Sequence, residues 1–137
     1  MDAARALADL TEISSQIEGA VVFSAGGEVL GSTLADEAVA AELVRGAAEL
    51  LEAAGGFRSE GVAVTQLEAS LPDGSLFVVR EGEHGIVATT TPRPTTGLVF
   101  YDLKSCLRGA AETAKPKRRR RASPKKAADG TEDAGAS

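Results

Sequence analysis

This 137-residue chain has few of the groups that usually carry chemistry: one cysteine, Cys106, one histidine, His84, and no tryptophan. A single cysteine excludes an intrachain disulfide framework and agrees with a reducing compartment. A lone histidine without a cysteine cluster makes no credible zinc site, and His84 reads as a turn residue between Glu83 and Gly85. No apolar run approaches the ~18 residues of a membrane span. The N-terminus lacks the charged-then-apolar layout of a signal peptide, so the chain is expected in the cytoplasm. Neither G-x-x-x-x-G-K-[ST] nor G-x-G-x-x-G occurs, so no nucleotide site, and no cofactor of any kind, is expected of the chain itself. With 43% hydrophobic but only 4% aromatic residues, the core must be built from Val, Leu, Ile and Ala. These bury less area per residue than aromatic rings, so dimerisation would help stability.

What the chain does have is charge, and it is unevenly divided. The net charge of -5 hides 7 basic against 17 acidic residues up to position 114, and 8 basic against 3 acidic beyond it. A domain over residues 1–113 followed by a basic tail over 114–137 is the simplest division, since the length suits one domain. The domain's negative charge argues against its binding nucleic acid and moves that question to the tail.

Ala3, Ala6/Leu7, Leu10, Ile13/Ser14 and Ile17 recur at three-and-four spacing and predict a first helix with one apolar stripe. After Gly19, the run Ala20 to Phe23 is short and β-branched, Gly26-Gly27 suits a tight hairpin, and Glu28 to Gly31 is the return strand. A second helix begins after Ser32 or Thr33 and stops at Gly55-Gly56, with Asp36 and Glu37 suited to its positive end. Three strands follow, Gly61 to Leu67, Ser75 to Arg80 and Gly85 to Thr90, joined by Pro72-Asp73-Gly74 and Glu81-Gly82-Glu83-His84. The first alternates weakly, as an edge strand does, whereas the other two are continuously apolar. Pro92 and Pro94 end the sheet, Thr95 or Thr96 can cap, and Val99, Leu103, Cys106/Leu107 and Ala110 give a third helix its buried stripe.

The second helix is the most informative element. At about 100° per residue, Glu42, Arg45, Glu49 and Glu52 share one arc while Val39, Leu43, Ala47, Leu50 and Ala54 face away from it. Ala40, Val44 and Leu51 widen the apolar side. A face this wide, lined with small alanines, suggests contact with a second body, most simply a symmetric helix pair.

The order α-β-β-α-β-β-β-α, with the hairpin GAVVFSAGGEVLGS leading into the alanine-rich helix, resembles the Roadblock/dynein light-chain family across residues 3 to 112. Profilin-like and longin folds share part of that order. The chain departs from the family at Gly26-Gly27, where an acidic residue before the glycine is more usual. The resemblance implies an α/β (α+β) domain: a five-stranded antiparallel sheet in the order 2-1-5-4-3, with the second helix on one face and the first and third on the other. It also implies a homodimer, formed by antiparallel contact of second helices and pairing of third strands. That assigns Ala40, Val44, Ala48 and Leu51 to the helix contact and Val62, Val64 and Gln66 to the joined edge. The implied role is regulation or scaffolding of a small Ras-like GTPase, with no catalytic arginine supplied and no enzymatic activity.

Other candidates have plainer explanations. Cys106 lies on an apolar stripe, where cysteine packs as a small hydrophobe. Arg93-Pro94-Thr95-Thr96-Gly97 could hold an anion at a helix start, but ordinary capping accounts for it. Arg45 could act as an arginine finger, but Glu42 and Glu49 at i-3 and i+4 make a solvated ion-pair row the simpler reading. The tail KPKRRRRASPKK places Lys115, Lys117, Arg118, Arg119, Arg120, Arg121, Lys125 and Lys126 within 12 residues, with no aromatic to stack on a base. Such composition is expected to be disordered. It fits a solvated tail that keeps the protein soluble or folds loosely over the acidic domain, or an electrostatic hold on nucleic acid or an anionic surface with Ser123 before Pro124 as a charge switch. The second function class is therefore a dimeric module whose tail does the binding.

Overall fold

A computed structural model describes residues 2–56 and 65–114, with 112–114 described by their backbone alone. Helix α1 (Ala3–Ile13) opens at Asp2, whose carboxylate accepts from the Arg5 N–H at 2.9 Å. Ala6, Leu7 and Leu10 form its buried face. The apolar stripe read through Ile13 to Ile17 is cut short, because the backbone turns extended at Ser14, whose N–H caps the Leu10 carbonyl. Ile13 is consequently exposed, and Ile17 becomes the first residue of β1 (Ile17–Ser24).

The turn after β1 is closed by Ser24, whose N–H donates to the Glu28 carbonyl and whose carbonyl accepts from Gly27. β2 (Val29–Ser32) therefore starts and ends one residue later than the span read from sequence. Asp36 caps α2 (Glu37–Gly55), accepting from the Ala38 N–H at 2.9 Å and the Val39 N–H at 3.4 Å. β3 (Gln66–Leu71) runs on past Leu67, while the expected start of that strand, residues 61–64, lies outside the described residues. β4 (Gly74–Glu81) and β5 (His84–Thr90) complete the meander, and α3 (Thr96–Ala114) closes the domain. His84 is not in the turn but is the first residue of β5, half-buried and opposite Ser24 and Glu81. The start of α3 is held by Gln16, whose side-chain oxygen accepts from the Thr95 N–H at 2.6 Å; the Thr96 hydroxyl reaches Glu68 instead.

The strands form one antiparallel sheet in the order β2-β1-β5-β4-β3. Side chains alternate between its faces. Ala20, Val22, Phe77, Val79, Ile86 and Ala88 pack under α1 and α3, while Val21, Phe23, Val78 and Val87 pack under α2. Phe77 meets Phe100 of α3 edge to face, with ring centroids 4.9 Å apart. The element order and sheet order are those expected from the sequence.

Gly74 is fixed by this packing. Its φ is 155°, and a β-carbon there would collide with the Thr90 carbonyl oxygen, a backbone atom of β5 that cannot swing away. Gly74→Ala should therefore lower stability by about 1–3 kcal/mol, read as a drop in thermal or denaturant midpoint.

Candidate functional interface on α2 and β3

α2 has two apolar rows rather than one wide face. Ala40, Val44, Ala47 and Leu51 are buried, packed among Val21, Phe23, Val78 and Val87. Three of the residues assigned to a dimer contact, Ala40, Val44 and Leu51, are thus covered by this chain's own sheet; Leu51 is only 6% exposed. Ala48 is exposed, Gln66 is exposed at the start of β3, and Val62 and Val64 lie outside the described residues.

The second row lies about 80–100° round the helix: Val39, Leu43, Gly46, Leu50 and the Ala53-Ala54 pair, at four-three-four spacing. Val39 is 51% and Leu50 39% exposed, and Leu43 is half-buried at the margin of the core. A β-carbon on Gly46 would meet no described atom within 4 Å, so the middle of the row has open space above it. Its direction follows from the other flank. Glu37 and Ala40 wall a groove of about 560 Å³ against Val29, Leu30 and Leu34, on the β2 side. The Val39–Leu50 row therefore faces the β4–β3 side, where Leu67 and Leu76 are half-buried beside the same cluster. Helical arithmetic on the sequence found these residues opposite the acidic row. It could not say which of two adjacent apolar rows the sheet would take.

Among the described residues β3 ends the sheet and pairs only with β4, so its outer N–H and C=O groups face away from the sheet. Gln66 and Glu68 stand opposite Val79 and Phe77 on the α1/α3 face, and Leu71 is exposed at the far end. Leu43 of the row and Leu67 and Leu76 of the sheet border the same buried cluster, and β3 is the end strand on that side.

The groups examined for chemistry are placed elsewhere. Arg45 pairs with Glu42 at 3.5 Å, both exposed, as a solvated i, i+3 pair. Cys106 is buried in the cluster under α1 and α3, where desolvation and, secondarily, the charge of Asp9 raise its pKa to about 11. The N–H at the start of α3 that could have faced an anion is taken by Gln16. Among the described residues no group of His, Cys, Asp and Glu could hold a metal ion, and no helix is long and apolar enough to cross a membrane.

Three helices layered on a sheet in the order β2-β1-β5-β4-β3 define an α+β domain of the profilin-like kind. No protein-family model matches the sequence, and no curated protein matches it either. Solved structures do match. The Roadblock/LC7 domain from Streptomyces avermitilis superposes with a TM-score of 0.73 at 18% identity, over 83% of this chain and 98% of that one. Myxococcus xanthus MglB gives 0.63 at 16% identity, over 82% and 84% of the two chains. An MglB structure with a tetrameric arrangement gives 0.61 at 20% identity, over 80% and 88%. The chain has the Roadblock fold.

The thiol offers a direct check of the packing. With its pKa near 11 rather than 9, Cys106 should react with a small thiol reagent at pH 8 about a hundredfold more slowly than an exposed cysteine, by thiolate fraction alone. The rate should rise about tenfold per pH unit from there and level off only near pH 11, instead of near pH 9.

Proposed function

We infer that this chain is the protomer of a cytoplasmic homodimer that regulates or scaffolds a small Ras-like GTPase and supplies no catalytic group of its own. The observation that carries the reading is the exposed apolar row of Val39, Leu43, Gly46 and Leu50 on α2, in a sheet whose end strand is β3. An antiparallel pair of α2 helices would bury that row, and pairing of two β3 edges would extend the sheet from one protomer into the next. The Roadblock fold supports the GTPase-linked role that the family resemblance implies, and the tetrameric arrangement of an MglB supports self-association on this fold. The helix contact is accordingly assigned to Val39, Leu43 and Leu50 instead of Ala40, Val44 and Leu51. Gln66, with Val62 and Val64 ahead of it, stays assigned to the joined edge. Residues 1–113 act as the domain and 114–137 as its tail.

A pair of neighbouring substitutions separates surface from core. Leu50→Glu should convert a dimer at micromolar concentration into a folded monomer, with circular dichroism unchanged and the sedimentation coefficient lowered. Leu51→Glu should lose the fold, because a carboxylate at that buried position costs about 3 kcal/mol or more. A monomeric native chain at micromolar concentration would overturn the dimer. The GTPase is tested by binding a Ras-like GTPase encoded beside this chain, loaded with GDP or a non-hydrolysable GTP analogue. A complex selective for one nucleotide state is expected, and no complex in either state rejects the assignment.

A further inference from the structure

A second recess lies across the sheet from α2, between α1 and α3. Ala6, Asp9 and Ile13 from one helix and Asp102, Ser105 and Gly109 from the other wall a cleft of about 190 Å³. Gln16, just beyond α1, bonds to Thr95 at the start of α3, so the helices run antiparallel and Asp102 stands beside the end of α1. Asp102 is only 7% exposed, yet its carboxylate takes part in no hydrogen bond or ion pair among the described residues. Desolvation raises its pKa above the usual carboxylate value. Asp9, the other carboxylate at the cleft, faces only Arg5 at 3.5 Å, in an exposed pair.

The oxygens of Asp102 are not sealed off, since Ser14 Oγ is the one fully buried side-chain polar atom without a partner among the described residues; a carboxylate with this little water and no protein donor gains from a cation that reaches it. The rest of the lining, Ala6, Ile13 and Gly109 with Leu10 and Cys106 beneath, suits a methylene stem. An arginine side chain has both parts, and its planar fork matches a carboxylate better than a lysine does. The chain carries four arginines in a row, Arg118 to Arg121, starting four residues beyond the last residue of α3. Asp102 lies twelve residues back from Ala114, about 18 Å along the helix, and an extended segment from Ala114 to Arg121 spans up to about 23 Å. The segment can therefore turn back and reach, at the high effective concentration of a tethered ligand.

We propose that the basic segment Lys115–Lys126 turns back along α3 of its own chain and seats an arginine of Arg118–Arg121 in the α1/α3 recess, on the Asp102 carboxylate. Charge complementarity is strong, with a surplus of ten acidic residues up to position 114 and of five basic ones beyond it. The acidic row of α2 is the poorer competitor. Glu42 is already paired with Arg45, and exposed glutamates stay hydrated and gain little from a cation. This seating keeps the tail on the face of the sheet away from the Val39–Leu50 row, and any anionic surface would have to draw it from Asp102 first.

The test uses the full chain carrying Cys106→Ala and Ser123→Cys, with a nitroxide on the new cysteine and amide signals read by NMR at low salt. The amides of Ile13, Asp102, Ser105 and Gly109 should lose at least half their intensity. The loss should vanish in Asp102→Asn and when Arg118, Arg119, Arg120 and Arg121 are all changed to Ser. Asp102→Asn removes a buried charge at nearly constant shape, so the remaining amide pattern reports that the fold persists. Broadening centred on Glu42, Glu49 and Glu52 would overturn the proposal, as would broadening that survives Asp102→Asn. Broadening of the same amides at comparable strength in spin-free, isotope-labelled chains mixed with spin-labelled, unenriched ones would place the tail on a second copy, and also overturns it.

Discussion

Strands β1, β4 and β5 carry apolar side chains on both faces, and every other feature of the domain answers to the need to cover them. Val22, Phe77, Val79 and Ile86 point one way, and Val21, Val78 and Val87 point the other. Five strands at about 4.8 Å spacing make a sheet about 20 Å across, which two helices of about 10 Å can cover and one cannot. The α1/α3 face has two helices and is closed. The α2 face has one, set toward β1, β2 and β5, and the apolar remainder surfaces as Leu43, Leu67 and Leu76 at the β4–β3 side. The asymmetry of cover leaves the exposed apolar row on that side.

Much of this could be read from the sequence, because the relevant signals are periodic. The second helix and its stop at Gly55-Gly56, the hairpin at Gly26-Gly27 and the continuously apolar strands leave patterns that survive without coordinates. Errors fall where a local choice is settled by packing. Ile13 and Ile17 continue a helical spacing, but the chain must leave α1 at Ser14 to enter the sheet. His84 looks like turn chemistry, but the register of β5 against β1 and β4 draws it into a strand. The largest revision is on α2, where two apolar rows lie side by side about 80–100° apart. Periodicity cannot choose between them, because each would serve as a buried face. Only the setting of the helix on β1 and β5 assigns Val44 and Leu51 to the inside and Val39 and Leu50 to the outside.

Asp102 was hidden for a related reason. Between Tyr101 and Leu103 it reads as one polar position on an amphipathic helix, and its low exposure in the cleft with α1 shows only in the folded chain. The exposed ion pairs, Arg5 with Asp9 and Arg45 with Glu42, are the converse: their spacing is plain in the sequence, and their exposure leaves them little weight in stability.

Gly46 sits at the middle of α2, nine residues from either end, in a helix otherwise rich in alanine. Glycine there costs about 1 kcal/mol of helix propensity relative to alanine. Nothing among the described residues requires it, since an added β-carbon would meet none of their atoms within 4 Å and the helix runs through it unbroken. The helix gives up stability at the centre of this row, and no contact among the described residues returns it. What glycine provides there is a shallow notch, where another backbone can approach more closely than any side chain would allow.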